Sequence, residues 1–336
     1  MAAPHTPIDS RLLPWNYSKH YLLAGSAFLA IILFFISFSA HRHLNTTAPA
    51  AAAATGSRFS ISSASACTPR DPQVIVYNRI PKAGSTTLIS LLSHLAGKNN
   101  FTLVLPTPYY SHPAARNAVL TALTTGTRTV ICNHFNFPEI LYGGSIDASN
   151  INRNTQQVAY INVMRNPVDR CASFYYYTRY GDRNKQLKKN TIDQYGNFTL
   201  DECVNKPYDE IKTCFNCKSD TQALAFCGRE GGDCGRATAD EILAQAWENV
   251  QAHYFVGITE DLHGTAEMLE LLYPSFFRGM TEAMEVTAPK KVSSSREQYI
   301  APSEKARMVM EKWAAVDMDL YTKVHARYIE QRKACF

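Results

Sequence analysis

The chain has 336 residues, 46% of them hydrophobic, so it is long enough to bury one large core or two small ones. Its formal net charge of +5 is mild. Most proteins of such a charge bind no polyanion, so the composition alone indicates no acidic partner, and we expect no nucleic acid.

Residues 21–40 form an apolar run without a charged side chain. Because about 20 apolar residues at a rise of 1.5 Å cross a hydrocarbon core, we predict a transmembrane anchor here, preceded by a tail at residues 1–20. A cleaved signal peptide is the alternative, but its apolar region is usually ~7–15 residues long and starts nearer the N-terminus. Lys19 and Arg42 flank the run, so the positive-inside rule barely decides its orientation.

Residues 41–70 are rich in Ala, Ser and Thr and lack apolar periodicity, which predicts a flexible stem. Residues 71–336 have the composition of a globular domain. Short apolar runs predict strands at 74–77, 101–105, 129–132, 158–163 and 254–258. Helices are predicted at 86–96, at 239–252, at 262–272 and, as one long amphipathic helix, at 303–331. Alternating strands and helices predict an α/β domain with a parallel sheet flanked by helices.

The loop after the first predicted strand reads N-R-I-P-K-A-G-S over residues 78–85. A strand that feeds such a loop and then a helix N-terminus predicts an anion site, because backbone N–H groups and the helix dipole both favour negative charge. Lys82 adds a positive charge. The loop is not a Walker P-loop, which places Lys after the second Gly, so an ATPase or GTPase is disfavoured. A plain strand-to-helix turn with a surface lysine remains the alternative.

A second motif, R-N-P-V-D-R-C-A-S, occupies residues 165–173, where the fourth predicted strand runs into a helix. Pro167 suits the first helical turn, where its missing N–H costs nothing. Arg165 and Ser173 could reach one phosphate group, which a planar guanidinium recognises with two hydrogen bonds. Taken alone, an Arg-x-Pro sequence at a helix start is usually structural.

Five of the nine cysteines fall within residues 203–234, a density that indicates either a metal site or a disulfide framework. A zinc site needs paired C-x-x-C sequences, and only Cys214 and Cys217 fit one. We therefore predict disulfides, no metal, and an oxidising lumen around this domain. Sequons at Asn45, Asn100 and Asn197 predict glycosylation and agree with a single-pass protein whose large domain is lumenal.

Together these motifs resemble those of PAPS-dependent Golgi sulfotransferases, most of all the family of heparan sulfate and uronyl 2-O-sulfotransferases. The segments that carry the resemblance are V-I-V-Y-N-R-I-P-K-A-G-S-T-T (74–87), Y-I-N-V-M-R-N-P-V-D-R (160–170), S-F-Y-Y-Y-T-R-Y-G-D (173–182), D-E-C (201–203), Q-A-L-A-F-C-G (222–228) and Y-F-V-G-I-T-E-D-L (254–262). The resemblance covers nearly all of residues 74–330. It implies a P-loop-like sulfotransferase fold and single-pass type II residence in the Golgi membrane.

The resemblance also implies a donor site that binds PAPS and releases PAP. Lys82 would contact the sulfuryl group and stabilise the departing phosphate oxygen. Arg165 and Ser173 would hold the 3′-phosphate. The full set of donor-binding residues implied in this way is Lys82, Ala83, Gly84, Ser85, Thr86, Thr87, Arg165, Ser173, Lys290 and Lys291.

His134 follows the third predicted strand, and the family has a catalytic histidine at the matching place. A lone histidine is more often structural, but the resemblance makes His134 the candidate general base. An imidazole is the side chain best suited to accept a hydroxyl proton near neutral pH. The family motif is a His-x-His pair, and this chain has Cys132 at the first position.

The resemblance implies an anionic glycosaminoglycan as acceptor, with the 2-hydroxyl of iduronate in heparan sulfate as the modified group. Candidate acceptor contacts are Arg79, Arg183, Lys185, Lys188 and Lys189, although several of these lysines stand where the family has arginines. Cys203–Cys214 and Cys227–Cys234 are the disulfides it implies, and Cys217 has no implied partner. A homotrimer is possible by the same resemblance.

Two alternatives remain open at this point. One is an enzyme acting on dermatan or chondroitin, or another lumenal carbohydrate sulfotransferase. The other is a glycosaminoglycan-binding protein without turnover, for which Cys132 is the supporting feature.

Overall fold

The computed structural model describes residues 67–105, 112–137, 157–181, 185–228, 234, 237–287 and 298–336. The predicted tail and anchor and almost all of the stem lie outside these ranges, as do Asn45, Arg183, Lys290 and Lys291. Within the described ranges, no helix is both long and apolar enough to cross a bilayer.

A five-stranded parallel sheet with the strand order β2-β3-β1-β4-β5 forms the centre of the domain. Its strands are β1 Val74–Asn78, β2 Thr102–Val104, β3 Thr129–Asn133, β4 Val158–Met164 and β5 Tyr254–Ile258. The sheet confirms the α/β prediction, and each predicted strand is present within one residue of its predicted ends.

Helices connect and cover the strands. They are α1 Ser85–Lys98, α2 His112–Thr125, α3 Pro167–Tyr180, α4 Lys185–Tyr195, α5 Leu200–Val204, α6 Tyr208–Ile211, α7 Thr221–Cys227, α8 Ala239–His253, α9 Leu262–Leu272, α10 Pro274–Phe277, α11 Met280–Thr287, α12 Glu304–Trp313 and α13 Ala315–Cys335. A single 3₁₀ turn, Thr259–Asp261, joins β5 to α9.

The central strand β1 is buried along its whole length, as expected for a parallel sheet covered on both faces. Because side chains alternate along a strand, Val74 and Val76 pack in one apolar cluster with α2. Ile75 and Tyr77 pack in the opposite cluster, against the leucine stripe of α1. The two faces therefore hold the first two helices on opposite sides of the sheet.

The C-terminal segment differs from the single long helix predicted over residues 303–331. It forms α12 and α13, which are separated at the buried residue Ala314. Met310 of α12 packs in the apolar cluster that contains Cys171 and Cys203. Leu320 of α13 packs in the cluster on one face of the sheet. The two helices thus pack in two separate cores, and no Pro or Gly between residues 303 and 331 marks the break. Tertiary packing overrides the local preference for one continuous helix.

All nine cysteines lie in the described ranges, and eight of them form disulfides. Cys203–Cys214 and Cys227–Cys234 are the pairs implied by the resemblance. Cys171–Cys217 gives Cys217 its partner and ties α3 to the cysteine-rich segment at residues 203–234. Cys67–Cys335 joins the two ends of the domain. Four bridges are typical of a domain that folds in an oxidising lumen.

The bridge between the two ends should contribute most to stability. Cys67 and Cys335 are 268 residues apart, so the bridge removes much conformational entropy from the unfolded chain. We expect replacement of both by Ser to lower the free energy of unfolding by roughly 5 kcal/mol in guanidinium titrations. The matched control is Cys227→Ser/Cys234→Ser, whose separation of 7 predicts a loss of roughly 2 kcal/mol. Equal losses in the two variants would contradict this ranking.

Candidate active site

The candidate site lies at the carboxyl edge of the sheet. β3, β1 and β4 are adjacent and parallel, with Tyr77 in register with Cys132 on one side and Ile161 on the other. The residues that follow these three strands therefore meet at one edge, where open α/β sheets bind their ligands. Arg79 and His134 are two of them.

The loop between β1 and α1 ends at Gly84, which has the left-handed φ of 81° that favours glycine. α1 starts at the next residue, Ser85, and within the described chain no side chain caps it. The first N–H groups of a helix lack intrahelical acceptors, and the helix dipole adds positive potential there. This end of α1 can therefore bind an anion.

Lys82 is held in an unusual conformation inside this loop. Its φ is 67°, a left-handed value that costs a non-glycine residue about 1 kcal/mol and persists only where the surroundings enforce it. The Arg165 guanidinium donates to the Lys82 carbonyl oxygen at 3.4 Å. The Lys82 ammonium lies 3.9 Å from the centroid of the Tyr177 ring. Contacts from two other elements thus define the position of the lysine.

Arg165 occupies the β4–α3 junction, where its backbone is fixed by Gln222 of α7. The Gln222 side chain accepts from the Arg165 N–H at 3.1 Å and donates to the Arg165 carbonyl at 2.9 Å. Asn166 then caps α3 by accepting from the N–H of Val168 at 3.0 Å. The sequence alone does not connect Gln222 with Arg165. The fold shows that the glutamine supports the arginine.

Gln222 is in turn anchored by a buried ion pair. The Asp317 carboxylate accepts from the backbone N–H groups of Gln222 and Ala223 at 3.1 and 2.8 Å and lies 3.7 Å from the Arg170 guanidinium. Both charged side chains are buried. Burial raises the pKa of Asp317 to about 6, although Arg170 and the two amides favour its charged form. The Arg170–Asp317 pair therefore joins α3, α7 and α13 next to Gln222, which holds Arg165.

His134 is half-buried and fixed by the residue that follows β1. Its Nδ1 atom lies 2.9 Å from the Arg79 carbonyl oxygen, which can only accept, so Nδ1 carries the proton. In the neutral ring the basic lone pair is therefore on Nε2. Burial, and secondarily the charge of Arg79, lowers the pKa of His134 to about 4, against the opposing effect of the carbonyl hydrogen bond. The imidazole is neutral at physiological pH and can accept a proton.

This environment predicts a specific titration. We expect the His134 resonance, assigned with the His134→Asn variant, to titrate in NMR spectra with a midpoint near pH 4, because the charged ring is poorly solvated. Arg79→Met keeps the backbone carbonyl but removes the guanidinium, so it should raise the midpoint. A midpoint near 6.5, the ordinary value for histidine, would show that the ring is solvated and contradict this account.

A cavity of about 500 Å³ joins these groups at the sheet edge. Its lining residues are Arg79, Pro81, Lys82, Gly84, Ser85, Thr86, His134, Arg165, Ser173, Phe174, Tyr177 and Thr178. Three of them are permanent or near-permanent cations, and no carboxylate is among these described lining residues. The Arg79 guanidinium also donates to the Ser85 hydroxyl at 3.4 Å. A cavity of this composition fits a ligand with more than one phosphate or sulfate group.

The structure brings eight of the residues singled out from the sequence into this cavity. Ala83 and Thr87 are not among its lining residues: Ala83 is fully buried in the core, and Thr87 is half-buried on the first turn of α1. The other four lining residues, Pro81, Phe174, Tyr177 and Thr178, were not singled out from the sequence. Tyr177 follows Ser173 by four positions, and Thr178 follows Phe174 by four. Because residues four apart are neighbours on a helix surface, this spacing was the available signal.

The proposed acceptor lysines and two of the sequons lie on other described parts of the surface. Lys185, Lys188 and Lys189 belong to α4 and are not lining residues of the cavity, and the Lys189 ammonium contacts Asp193 at 2.6 Å. Asn100 is exposed, as glycosylation requires. Asn197 is also exposed, and its amide oxygen accepts from Tyr180 at 3.1 Å.

Cys132 occupies the place of the first histidine in the family motif. It is the cysteine that forms no disulfide, and it packs in the apolar cluster beneath α1. Burial raises the pKa of its thiol to about 12, so the side chain is neutral. A buried neutral thiol cannot replace an imidazole in proton transfer. In the described ranges, no three His, Cys, Asp or Glu side chains are grouped to hold a metal ion.

The sheet, the loop before α1 and the three cations define an α/β protein with a cationic cavity at the carboxyl end of its central strands. The chain belongs to the sulfotransferase family, whose sequence model matches residues 67–330.

Curated relatives give the comparison more detail. The chain is 30% identical over 247 residues to the chicken (Gallus gallus) heparan sulfate 2-O-sulfotransferase 1, a match that covers 70% of this chain and 64% of the relative. The human protein of the same name is 30% identical over 224 residues, covering 63% and 58%. A Drosophila melanogaster heparin sulfate O-sulfotransferase is 29% identical over 273 residues, covering 77% and 73%. The chain thus spans less than two thirds of the chicken and human relatives.

Proposed function

We propose that this chain transfers a sulfuryl group from PAPS to the 2-hydroxyl of iduronate in heparan sulfate. The observation that carries the proposal is the placement of a neutral imidazole and a lysine ammonium in one cationic cavity. His134 is the base, and Lys82 stabilises the leaving group. The family match supports the reaction class, and the names of the relatives support the acceptor.

Two sets of lining residues suit the anionic groups of the donor. Lys82 and the N-terminus of α1 suit the 5′-phosphosulfate, because both line the cavity and backbone N–H groups at a helix start favour an anion. Arg165 and Ser173, which also line the cavity, suit the 3′-phosphate. Lys290 and Lys291, outside the described residues, are proposed to close over the donor.

In the proposed reaction, His134 Nε2 takes the proton from the 2-hydroxyl while the hydroxyl oxygen forms its bond to sulfur. The bond between sulfur and the bridging phosphate oxygen breaks, and its electron pair stays on that oxygen. Lys82 and the amides of α1 stabilise the resulting negative charge. Donors that are already in place around such a developing charge accelerate a reaction most. Positioning supplies much of the remainder, as in phosphoryl transfer.

The low pKa of His134 is compatible with this role because it belongs to the protein alone. The negative charges of a bound donor favour the imidazolium ion and therefore raise the pKa of His134 toward the operating pH. A base is most effective when its pKa is close to that pH. Donor binding would thus strengthen the base just before it is needed.

The acceptor contacts are proposed to be Arg79, which lines the cavity, together with Arg183, Lys185, Lys188 and Lys189. Lysines give up the two-pronged recognition that arginines offer to sulfate and carboxylate groups. The acceptor would therefore be held mainly by charge at α4, with the cavity selecting the hydroxyl.

We further propose a type II arrangement in the Golgi membrane, with a cytoplasmic tail at 1–20, an anchor at 21–40, a stem at 41–70 and a lumenal domain at 71–336. The four disulfides support the lumenal side. Glycans at Asn45, Asn100 and Asn197, and a homotrimeric assembly, belong to the same proposal.

The test is a transfer assay with the full chain in detergent, ³⁵S-labelled PAPS and separate pools of N-sulfated heparosan, dermatan and chondroitin. Digestion to disaccharides then locates the label. We expect label at the uronate 2-position of heparosan. Label only in dermatan or chondroitin would move the chain to the uronyl enzymes, and PAP binding without label in any pool would favour a binding protein.

A further inference from the structure

We propose that Tyr177 is a positioning residue that fixes the Lys82 ammonium at the cavity wall during transfer. The inference deepens the proposed function and rests on it. It arises from the contact between an aromatic ring and a cation that both line the cavity.

The contact leaves the ammonium able to act. Its nitrogen lies 3.9 Å from the ring centroid, well inside the roughly 6 Å range of a cation–π contact. An ammonium has three N–H donors, and a ring face engages only one side of the group. The side turned away from Tyr177 can therefore face a ligand in the cavity.

Lysine needs such support more than arginine does. Its charge sits at the end of a flexible four-carbon chain, so without a partner the ammonium samples many positions. The backbone of Lys82 is held by Arg165, which donates to its carbonyl oxygen at 3.4 Å. Tyr177 holds the other end of the same residue. Stabilisation of developing charge depends on donors that are already in place.

The ring of Tyr177 depends on the space left by Gly181, the C-cap residue that follows α3. A Cβ atom at position 181 would lie 2.4 Å from the ring atom Cδ2 and 2.6 Å from the Tyr177 carbonyl oxygen. Gly181 has a φ of −70°, which any residue adopts, so the requirement here is for space. The absence of a side chain at 181 leaves the room in which the ring lies under the lysine.

The variants separate the ring face from the hydroxyl. We expect Tyr177→Leu to lower kcat about 10-fold, the loss of one partly desolvated cation–π contact, with the KM for the acceptor unchanged. Tyr177→Phe keeps the ring face and should restore most of the rate. Gly181→Ala should displace the ring without removing it and lower kcat in the same way.

A double-mutant cycle with Lys82→Ala tests whether Tyr177 acts through the lysine. In the Lys82→Ala background, Tyr177→Leu should change kcat by less than about twofold, because its partner is already gone. A full loss in both backgrounds, or an equal loss in Tyr177→Phe and Tyr177→Leu, would overturn the proposal. So would an unchanged kcat in Tyr177→Leu.

A spectroscopic measurement keeps the test independent of activity. Lysines ¹³C-methylated in the full chain give NMR signals, and the Lys82 signal is assigned by its loss in Lys82→Arg. A methylammonium over a ring face resonates upfield. We expect that shift in the native chain and in Tyr177→Phe, and its loss in Tyr177→Leu and Gly181→Ala. An inactive native chain with the shift present would defeat the proposed function alone, whereas no shift in the native chain would defeat the positioning role.

Discussion

His134→Ala should lower the rate of sulfuryl transfer by about 10²–10⁴-fold, the usual contribution of a positioned general base. The acceptor hydroxyl must lose a proton as its oxygen bonds to sulfur. The neutral ring offers Nε2 for that proton because Nδ1 is committed to the Arg79 carbonyl. The rate is measured with labelled PAPS and a saturating acceptor.

Two further variants separate chemistry from structure. In His134→Asn the side-chain amide can keep the hydrogen bond to the Arg79 carbonyl but offers no base, so it should be as inactive as His134→Ala and bind PAP normally. His253→Ala removes an exposed histidine beside Phe137 and serves as the matched control, with native activity expected. Activity of His134→Asn near the native rate would remove the base from the mechanism.

Lys82→Ala should lower kcat by about 10²–10³-fold, comparable to the loss of one donor to a developing oxyanion. The charge that Lys82 stabilises exists mainly in the transition state. The loss should therefore be larger in kcat than in the KM for PAPS, and steady-state kinetics at varied PAPS distinguishes the two.

The conformation of Lys82 supplies an internal control. Lys82→Gly removes the same ammonium but relieves the left-handed backbone, so this variant should be equally inactive and at least as stable in thermal unfolding. Lys98→Ala, at the C-terminal end of α1, breaks an ion pair with Glu282 and should be active. Retained kcat in Lys82→Gly would show that the loop amides stabilise the leaving group without the lysine.

The sheet could be predicted because each strand is a short apolar run, which is the usual sequence of a parallel strand buried on both faces. The cationic loop before α1 could be predicted because the sequence around Lys82 and Gly84 places a cation and a flexible residue directly before a helix. Both signals are local, and local physics decides them.

The supports of the site could not be predicted in the same way. Gln222 reaches Arg165 across 57 positions and Asp317 reaches Gln222 across 95, contacts that depend on the packing of α7 and α13 against the sheet. Cys171, which lies on α3, gave no spacing signal for its bond to Cys217. The break between α12 and α13 at Ala314 likewise results from packing in two cores, and no helix-breaking residue in the sequence marks it.

Through these contacts the cysteine-rich segment at residues 203–234 supports the cavity. Its disulfide from Cys171 to Cys217 fixes the first turns of α3, the helix that carries Ser173 and Tyr177 into the cavity. The buried pair of Arg170 and Asp317 lies beside the same bridge, since the Arg170 guanidinium contacts the Cys217 sulfur at 3.1 Å. The cysteine-rich segment thus holds one wall of the cavity in place.

The most direct test of the central claim is a paired measurement on the same samples of native chain and His134→Ala: PAP binding by calorimetry, and ³⁵S transfer from PAPS to N-sulfated heparosan. The account predicts equal PAP affinity in both and transfer by the native chain alone. Native chain that binds PAP but transfers no label would contradict the proposed transfer to heparosan. Transfer of equal rate by both proteins would leave the reaction standing and remove His134 as its base.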